Sequence, residues 1–182
     1  MTGLAIAQPE AMASTAQPLW FLGTLVRLKL TGRQTGGRFA LWEGVLPYGA
    51  APPLHTHPQD ETFYVLKGEV SVWLVEPDLA EDRSWVDTHA RRYGPGGCVL
   101  ARGGTPHTFR VESDTAQMLF LSTPAGIEDY VRALAEPARW PWLPPPPDGP
   151  RVPPDHLQAV EREYEVVRHS PPPPAADRKE KE

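Results

Sequence analysis

GAAPPLHTHPQDETFYVLKG, residues Gly49 to Gly68, places two histidines one residue apart and a glutamate four positions on. On an extended strand His55 and His57 share a face, with Cα atoms ~6.6 Å apart. Two imidazole nitrogens can then converge on one ion at ~2 Å each. Pro58 turns the chain, and Glu61 opens the next strand. Glu61 has the parity of Phe63 and Val65, which predicts that it points inward among dry neighbours.

A second segment, GGCVLARGGTPH from Gly96 to His107, supplies a fourth donor from a distant strand. Gly103-Gly104 reads as a tight turn that feeds His107 into that strand. Three imidazoles and one carboxylate form a borderline-hard donor set, suited to one divalent transition metal (Fe, Mn, Ni, Co, Cu or Zn). Four protein ligands leave one or two positions open on a five- or six-coordinate ion, which catalysis requires. A His-x-His pair alone is often two ordinary strand histidines. The register of Glu61 and His107 with it favours the metal. Gly68 and Gly104 are read as turn glycines with positive φ that aim the site.

Around these segments the chain reads as short strands. They are Trp20 to Leu30, Phe39 to Leu46, Leu54 to His57, Thr62 to Leu66, Val70 to Val75, Cys98 to Ala101, His107 to Val111, and Gln117 to Leu121. Thr31 to Gly37 is a turn by composition, and Glu76 to Tyr93 a charged loop with at most a short helical turn. Many short strands with frequent turns predict an all-β sandwich or barrel. Two helices are expected after them. One is Ile127 to Ala135, with Ile127, Tyr130, Val131 and Leu134 on one face. The other is Asp155 to Arg168, with Asp155 as N-cap and a stripe of Leu157, Val160, Tyr164 and Val167. The organisation expected is a flexible arm (1–18), a β-barrel (19–125), a helical extension with a Pro-rich linker (126–169) and a disordered tail (170–182).

The chain has 182 residues, enough for one domain plus tails. A single cysteine, Cys98, excludes an intrachain disulfide and thiolate-rich zinc sites, and fits a reducing cytoplasm. Net charge is −5 with no basic patch, which argues against nucleic acid or an anionic membrane as partner. No apolar run approaches the ~18 residues of a membrane-spanning helix. The first eighteen residues lack a basic n-region, so no secretory signal is expected. Of the 23 prolines, Pro144 to Pro147 and Pro171 to Pro174 form runs that favour polyproline II.

The two segments resemble the cupin superfamily. Its first motif, G-x5-H-x-H-x3-E-x6-G, is matched at Gly49, His55, His57, Glu61 and Gly68. Its second, G-x5-P-x-G-x2-H-x3-N, is matched at Gly96, Gly104 and His107, with Arg102 and Val111 in place of the Pro and Asn. The resemblance covers about residues 20–125 and implies a double-stranded β-helix, or jelly-roll barrel, here followed by the C-terminal helices. The wording PPLHTHPQDETFYVLKGEV, PGGCVLARGGTPHTFRV and STPAGIEDYVRALAEPA further resembles single-domain quercetin 2,3-dioxygenase-like proteins. That resemblance implies His55, His57, Glu61 and His107 as metal ligands. Glu61 would also be the catalytic base that takes the flavonol 3-hydroxyl proton, while O2 cleaves the ring with loss of carbon monoxide.

Three functions are compatible with this reading. One is a dioxygenase acting on a flavonol, aromatic or polyketide-type small molecule with O2. Another is a non-oxidative isomerase, cyclase or lyase in which the metal stabilises an enolate and Glu61 shuttles a proton. The third is a non-catalytic metal or small-molecule-binding barrel. Phe63, Trp73, Phe109 and Trp42 are candidate substrate-lining residues, with ordinary core packing as their alternative. Cys98 is read as a buried inert thiol, Tyr64 and Lys67 as pointing away from the ion, and Arg102 as a solvated rim residue. His89, His156 and His169 are given no function. A homodimer is expected, with Trp20 to Leu30 as a candidate edge strand that needs covering.

Overall fold

The structure is a computed structural model that describes residues 17–81, 83–88, 90–145 and 151–175. The expected N-terminal arm therefore lies, except for Gln17 and Pro18, outside the described residues. The strands are β1 (Leu19–Phe21), β2 (Thr24–Leu30), β3 (Ala40–Pro47), β4 (Leu54–Thr56), β5 (Asp60–Lys67), β6 (Val70–Leu74), β7 (Arg91–Tyr93), β8 (Cys98–Ala101), β9 (His107–Val111), β10 (Thr115–Thr123), β11 (Glu136–Pro137) and β12 (Val167–Ser170). The helices are α1 (Gly32–Thr35), α2 (Trp85–Thr88), α3 (Ile127–Leu134) and α4 (Pro154–Glu163), with a 3-10 turn at Pro77–Leu79.

Two antiparallel sheets pack face to face. One runs β11-β1-β2-β3-β10-β5-β8 and the other β12-β4-β9-β6-β7. Burial alternates strictly along β3 and β10, so each strand gives one face to the interior. Trp42, Phe63, Val65, Val72, Met118 and Phe120 meet in the main core. Each such side chain contributes ~1.5–3 kcal/mol by leaving water. The fold is the all-β barrel with C-terminal helices that the strand and helix patterns predict, in the jelly-roll form that the resemblance implies.

Several expectations need correction. Trp20 to Leu30 is not one strand. Leu22 and Gly23 take φ of 45° and 93°, and β1 folds back on β2 with Phe21 opposite Thr24. Positive φ at both central residues is the hairpin turn that matches strand twist. Nor is this segment a sheet edge, because β2 lies between β1 and β3, and the edges are β11 and β8. Thr31 to Gly37 contains the helical turn α1. There the Thr31 N–H donates to Gln34 Oε1 (2.9 Å), and Gly36 closes the turn at φ 65°.

The charged loop of residues 76–93 is more ordered than its composition suggests. It ends in β7 and buries Trp85 completely against Trp73, at 6.1 Å between ring centroids. Leu54, Trp73, Val75, Ala80 and Trp85 thereby form a second core on the outer side of the five-stranded sheet.

The second expected helix stops at Glu163. Glu165 takes φ 56° and the chain leaves as β12. Asp155 sits in the first turn of α4, with Pro153 as N-cap. The tail is docked as far as Ala175, contrary to the disorder expected from Ser170. Arg83 donates to the Pro171 and Pro172 carbonyls (3.0 and 3.3 Å), and Arg110 donates to that of Pro174 (2.5 Å). Proline cannot donate but its carbonyl accepts well, so a run with little apolar surface can still be held by arginines. Residues 176–182 lie outside the described residues. Cys98 is exposed on edge strand β8 and is not the buried thiol expected. No described helix is long and apolar enough to cross a membrane.

Candidate metal centre

The sheet register assembles the four donors. His55 in β4 is the cross-strand partner of His107, the first residue of β9. His57 follows β4 directly, and Glu61 is the second residue of β5. His57, Glu61 and His107 are at most 6% exposed. One ligand atom from each of the four lies within 4.8 Å of every other. Glu61 Oε2 is 3.4 Å from His57 Nε2 and 3.3 Å from His107 Nε2. Donors on bonds of ~2.1 Å at octahedral to tetrahedral angles stand ~3.0–3.4 Å apart. The Glu61–His57 and Glu61–His107 separations therefore suit one small divalent ion, with a His55 nitrogen within 4.8 Å of each.

The donors' protonation fits as well. His55 Nδ1 lies 2.8 Å from the Pro53 carbonyl, and His107 Nδ1 lies 2.8 Å from the Thr105 carbonyl. A carbonyl only accepts, so each Nδ1 carries a proton, which leaves Nε2 as the nitrogen available to an ion. The same local device, a carbonyl two residues upstream, fixes the tautomer on both strands. The His107 Nε2 is buried, makes no hydrogen bond, and faces the Glu61 carboxylate. Two acceptors facing each other in a dry site are reconciled by a cation between them.

Burial would raise the Glu61 carboxyl, but positive charge facing it, a proton shared with the His107 and His57 imidazoles or an ion in its place, outweighs this and holds the group well below the usual carboxylate range. Burial pushes His55 down to about 3, helped by its histidine neighbours and opposed by Glu61. At neutral pH the site thus offers a carboxylate and a neutral His55 imidazole, the forms that bind metal.

The turn between β8 and β9 locks this corner. The Gly104 N–H donates to the His57 carbonyl (2.9 Å), and the Gly103 N–H donates to Asp60 Oδ1 (2.8 Å). Gly104 and Gly68 both have φ of 79°, as expected of turn glycines. At Gly103 space is the constraint, since a Cβ there would stand 2.1 Å from the Pro58 carbonyl oxygen. Gly103→Ala is therefore expected to cost about 2 kcal/mol and lower the melting temperature by about 4–8 °C, read by thermal denaturation. An unchanged midpoint would mean that the turn relaxes freely.

The donors open onto a cavity of about 570 Å³. Phe63, Phe109 and Trp42 line it, as expected, and Phe120 joins them. Trp42 stacks on Phe120 at 5.5 Å, and Phe63 meets Phe120 and Phe109 edge-on at 5.7 and 5.8 Å. Trp73 does not line it. Its neighbour Val72 points into the barrel, so alternation sends Trp73 to the outer core. Sequence reasoning missed the cavity wall supplied by Ile127, Tyr130, Glu161 and Arg168. Val167–Ser170 carries no alternation that would mark a strand, and the helical stripe of Leu157, Val160 and Tyr164 runs on into Val167. His169, given no function, bonds Thr56 Oγ1 through Nε2 at 3.1 Å.

Residues 42–124 match the family model of the cupin domain. Quercetin 2,3-dioxygenase of Bacillus subtilis (strain 168) is 25% identical over 114 residues, which are 62% of this chain and 30% of that enzyme. The chain thus spans under a third of the length of that curated relative. An oxalate decarboxylase structure from Lactobacillus farciminis matches with a TM-score of 0.50 and 18% identity, over 62% of this chain and 31% of that one. The polyketide cyclase RemF of Streptomyces resistomycificus matches at 0.44 with 24% identity, over 56% and 65% of the two chains. The decarboxylase likeness concerns the fold alone.

Proposed function

We propose that this chain, which belongs to the cupin superfamily, is an enzyme holding one divalent transition metal on His55, His57, Glu61 and His107 and acting on an aromatic small molecule with O2, in the manner of a quercetinase. The observation that carries this reading is the bare His107 Nε2 facing the Glu61 carboxylate at the end of an aromatic cavity. When bound, the ion supplies Lewis acidity to an enol or phenol oxygen of the substrate.

The chain's own residues do the rest. Phe63, Phe109, Phe120 and Trp42 receive a flat ring system and exclude water from around it. The Glu61 carboxylate, ionised at neutral pH, accepts the proton of the substrate hydroxyl. The Pro53 and Thr105 carbonyls keep His55 and His107 in the orientation that leaves the substrate side open.

A non-oxidative isomerase, cyclase or lyase rests on the same carboxylate, which can move a proton without any oxidant. The test is metal analysis of protein purified without chelator, followed by O2 uptake with a panel of flavonols. Metal-dependent uptake is the expected result. Turnover that persists under nitrogen would move the assignment to the non-oxidative class. Ligands that bind and are never turned over would leave a binding barrel.

A further inference from the structure

The C-terminal segment brings the cavity a second polar pole. β12 pairs with β4, with Arg168 opposite His55. Facing residues of an antiparallel pair project from the same side of a sheet, so Arg168 lies beside a metal-site histidine on the cavity side, at its solvent-facing margin with the side chain 40% exposed. Its Nη2 lies 2.8 Å from Glu161 Oε2, and Glu161, on α4, is 8% exposed. Among the described residues lining the cavity, Glu61, Glu161 and Arg168 are the only Asp, Glu, Lys or Arg side chains. Tyr130, on α3, lies on the same wall, and burial together with Glu161 pushes its phenol up to about 12. It therefore stays a neutral donor and acceptor.

We propose that the Arg168–Glu161 pair is a specificity-determining anchor for a phenolic hydroxyl on the part of the substrate that does not meet the metal. This rests on the reading of the site given above and names its substrate class: planar aromatic molecules with one enol or phenol oxygen at the histidine cluster and a second, free phenol elsewhere. The chemistry selects a phenol over a carboxylate. The pair is neutral as a whole, so an anion drawn to Arg168 is repelled by Glu161. A hydroxyl accepts from the guanidinium and donates to the carboxylate at once, satisfying both. The rings of Trp42, Phe63, Phe109 and Phe120 line the same cavity and suit a flat apolar body. Arg168 is the anchoring residue, and Glu161 a positioning residue that aims the guanidinium.

The experiment uses the full chain carrying the metal it is purified with, held free of O2. Quercetin and 3-hydroxyflavone are titrated in, with tryptophan fluorescence as the readout. The two share the 3-hydroxy-4-keto edge, and only quercetin has further hydroxyls. Hydrogen bonds to charged groups imply that quercetin binds about 10–100-fold more tightly. In Arg168→Met that ratio falls to about threefold or less, Arg168→Lys restores part of it, and Glu161→Gln is intermediate. Metal content measured on each variant reports an intact site.

A ratio that survives Arg168→Met, or an equal weakening of both ligands, overturns the anchor and leaves the pair as a strap holding β12 to α4. Equal affinity of the two ligands for the unaltered protein, with binding dependent on metal, overturns the anchor alone. If neither ligand binds in a metal-dependent way, the reading of the site falls with it.

Discussion

The double variant His57→Ala/His107→Ala is expected to carry less than about a tenth of a metal ion per chain while keeping a folded barrel. Groups that merely orient metal ligands cost ~10–100-fold in affinity when removed, and losing two ligands must exceed that. The two imidazoles come from separate segments, the residue after β4 and the start of β9, and the remaining His55 and Glu61 have no compensating donor among the described residues. The barrel survives because the main core of Trp42, Phe63, Val65, Val72, Met118 and Phe120 is untouched. Truncating His107 also removes an imidazole whose Nε2 faces the Glu61 carboxylate.

Elemental analysis reads occupancy, and thermal melts with and without added metal read the coupling. A metal present at 100 times its dissociation constant stabilises the native state by about 2.7 kcal/mol. That stabilisation should be present in the unaltered protein and absent from the double variant. Full occupancy in the double variant would falsify the four-residue site.

Glu61→Gln separates holding the ion from using it. Glutamine keeps the shape and an oxygen donor, and three histidines remain, so part of the metal should stay. Turnover should fall by about 10²–10⁴-fold, the usual worth of a placed general base. Positive charge facing it holds the Glu61 carboxyl below its ordinary range, so it is in the proton-accepting form throughout the neutral range. Steady-state kinetics at matched metal content is the measurement. Undiminished turnover would leave Glu61 as a ligand alone and put the base elsewhere.

The convergence of His55, His57, Glu61 and His107 was legible in the sequence because strand geometry is nearly rigid. A spacing of two fixes a shared face, and a turn glycine fixes where the next strand starts. Legibility ended where a pattern supports two structures. Tyr164 and Val167 continue the helical stripe of Leu157 and Val160, yet Glu165 at positive φ ends the helix and makes Val167–Ser170 a strand. That one misreading hid Arg168, and with it the charged wall of the cavity. Trp73 was misplaced for a related reason. Both faces of β6 are buried, so hydrophobicity could not say which face looks inward. The docked prolines escaped because their partners, Arg83 and Arg110, are distant in sequence and bind them through backbone carbonyls.

The pairing of β12 with β4 also sets an order of assembly. Thr56 and its partner His169 are 113 residues apart. At ribosomal rates of roughly 5–20 residues per second, β4 emerges roughly 6–23 s before the strand that covers it. Throughout that interval β4 is an open edge carrying His55, able to template pairing with a neighbouring nascent chain. Once paired, β12 thus shields the metal-site strand β4 from such contacts.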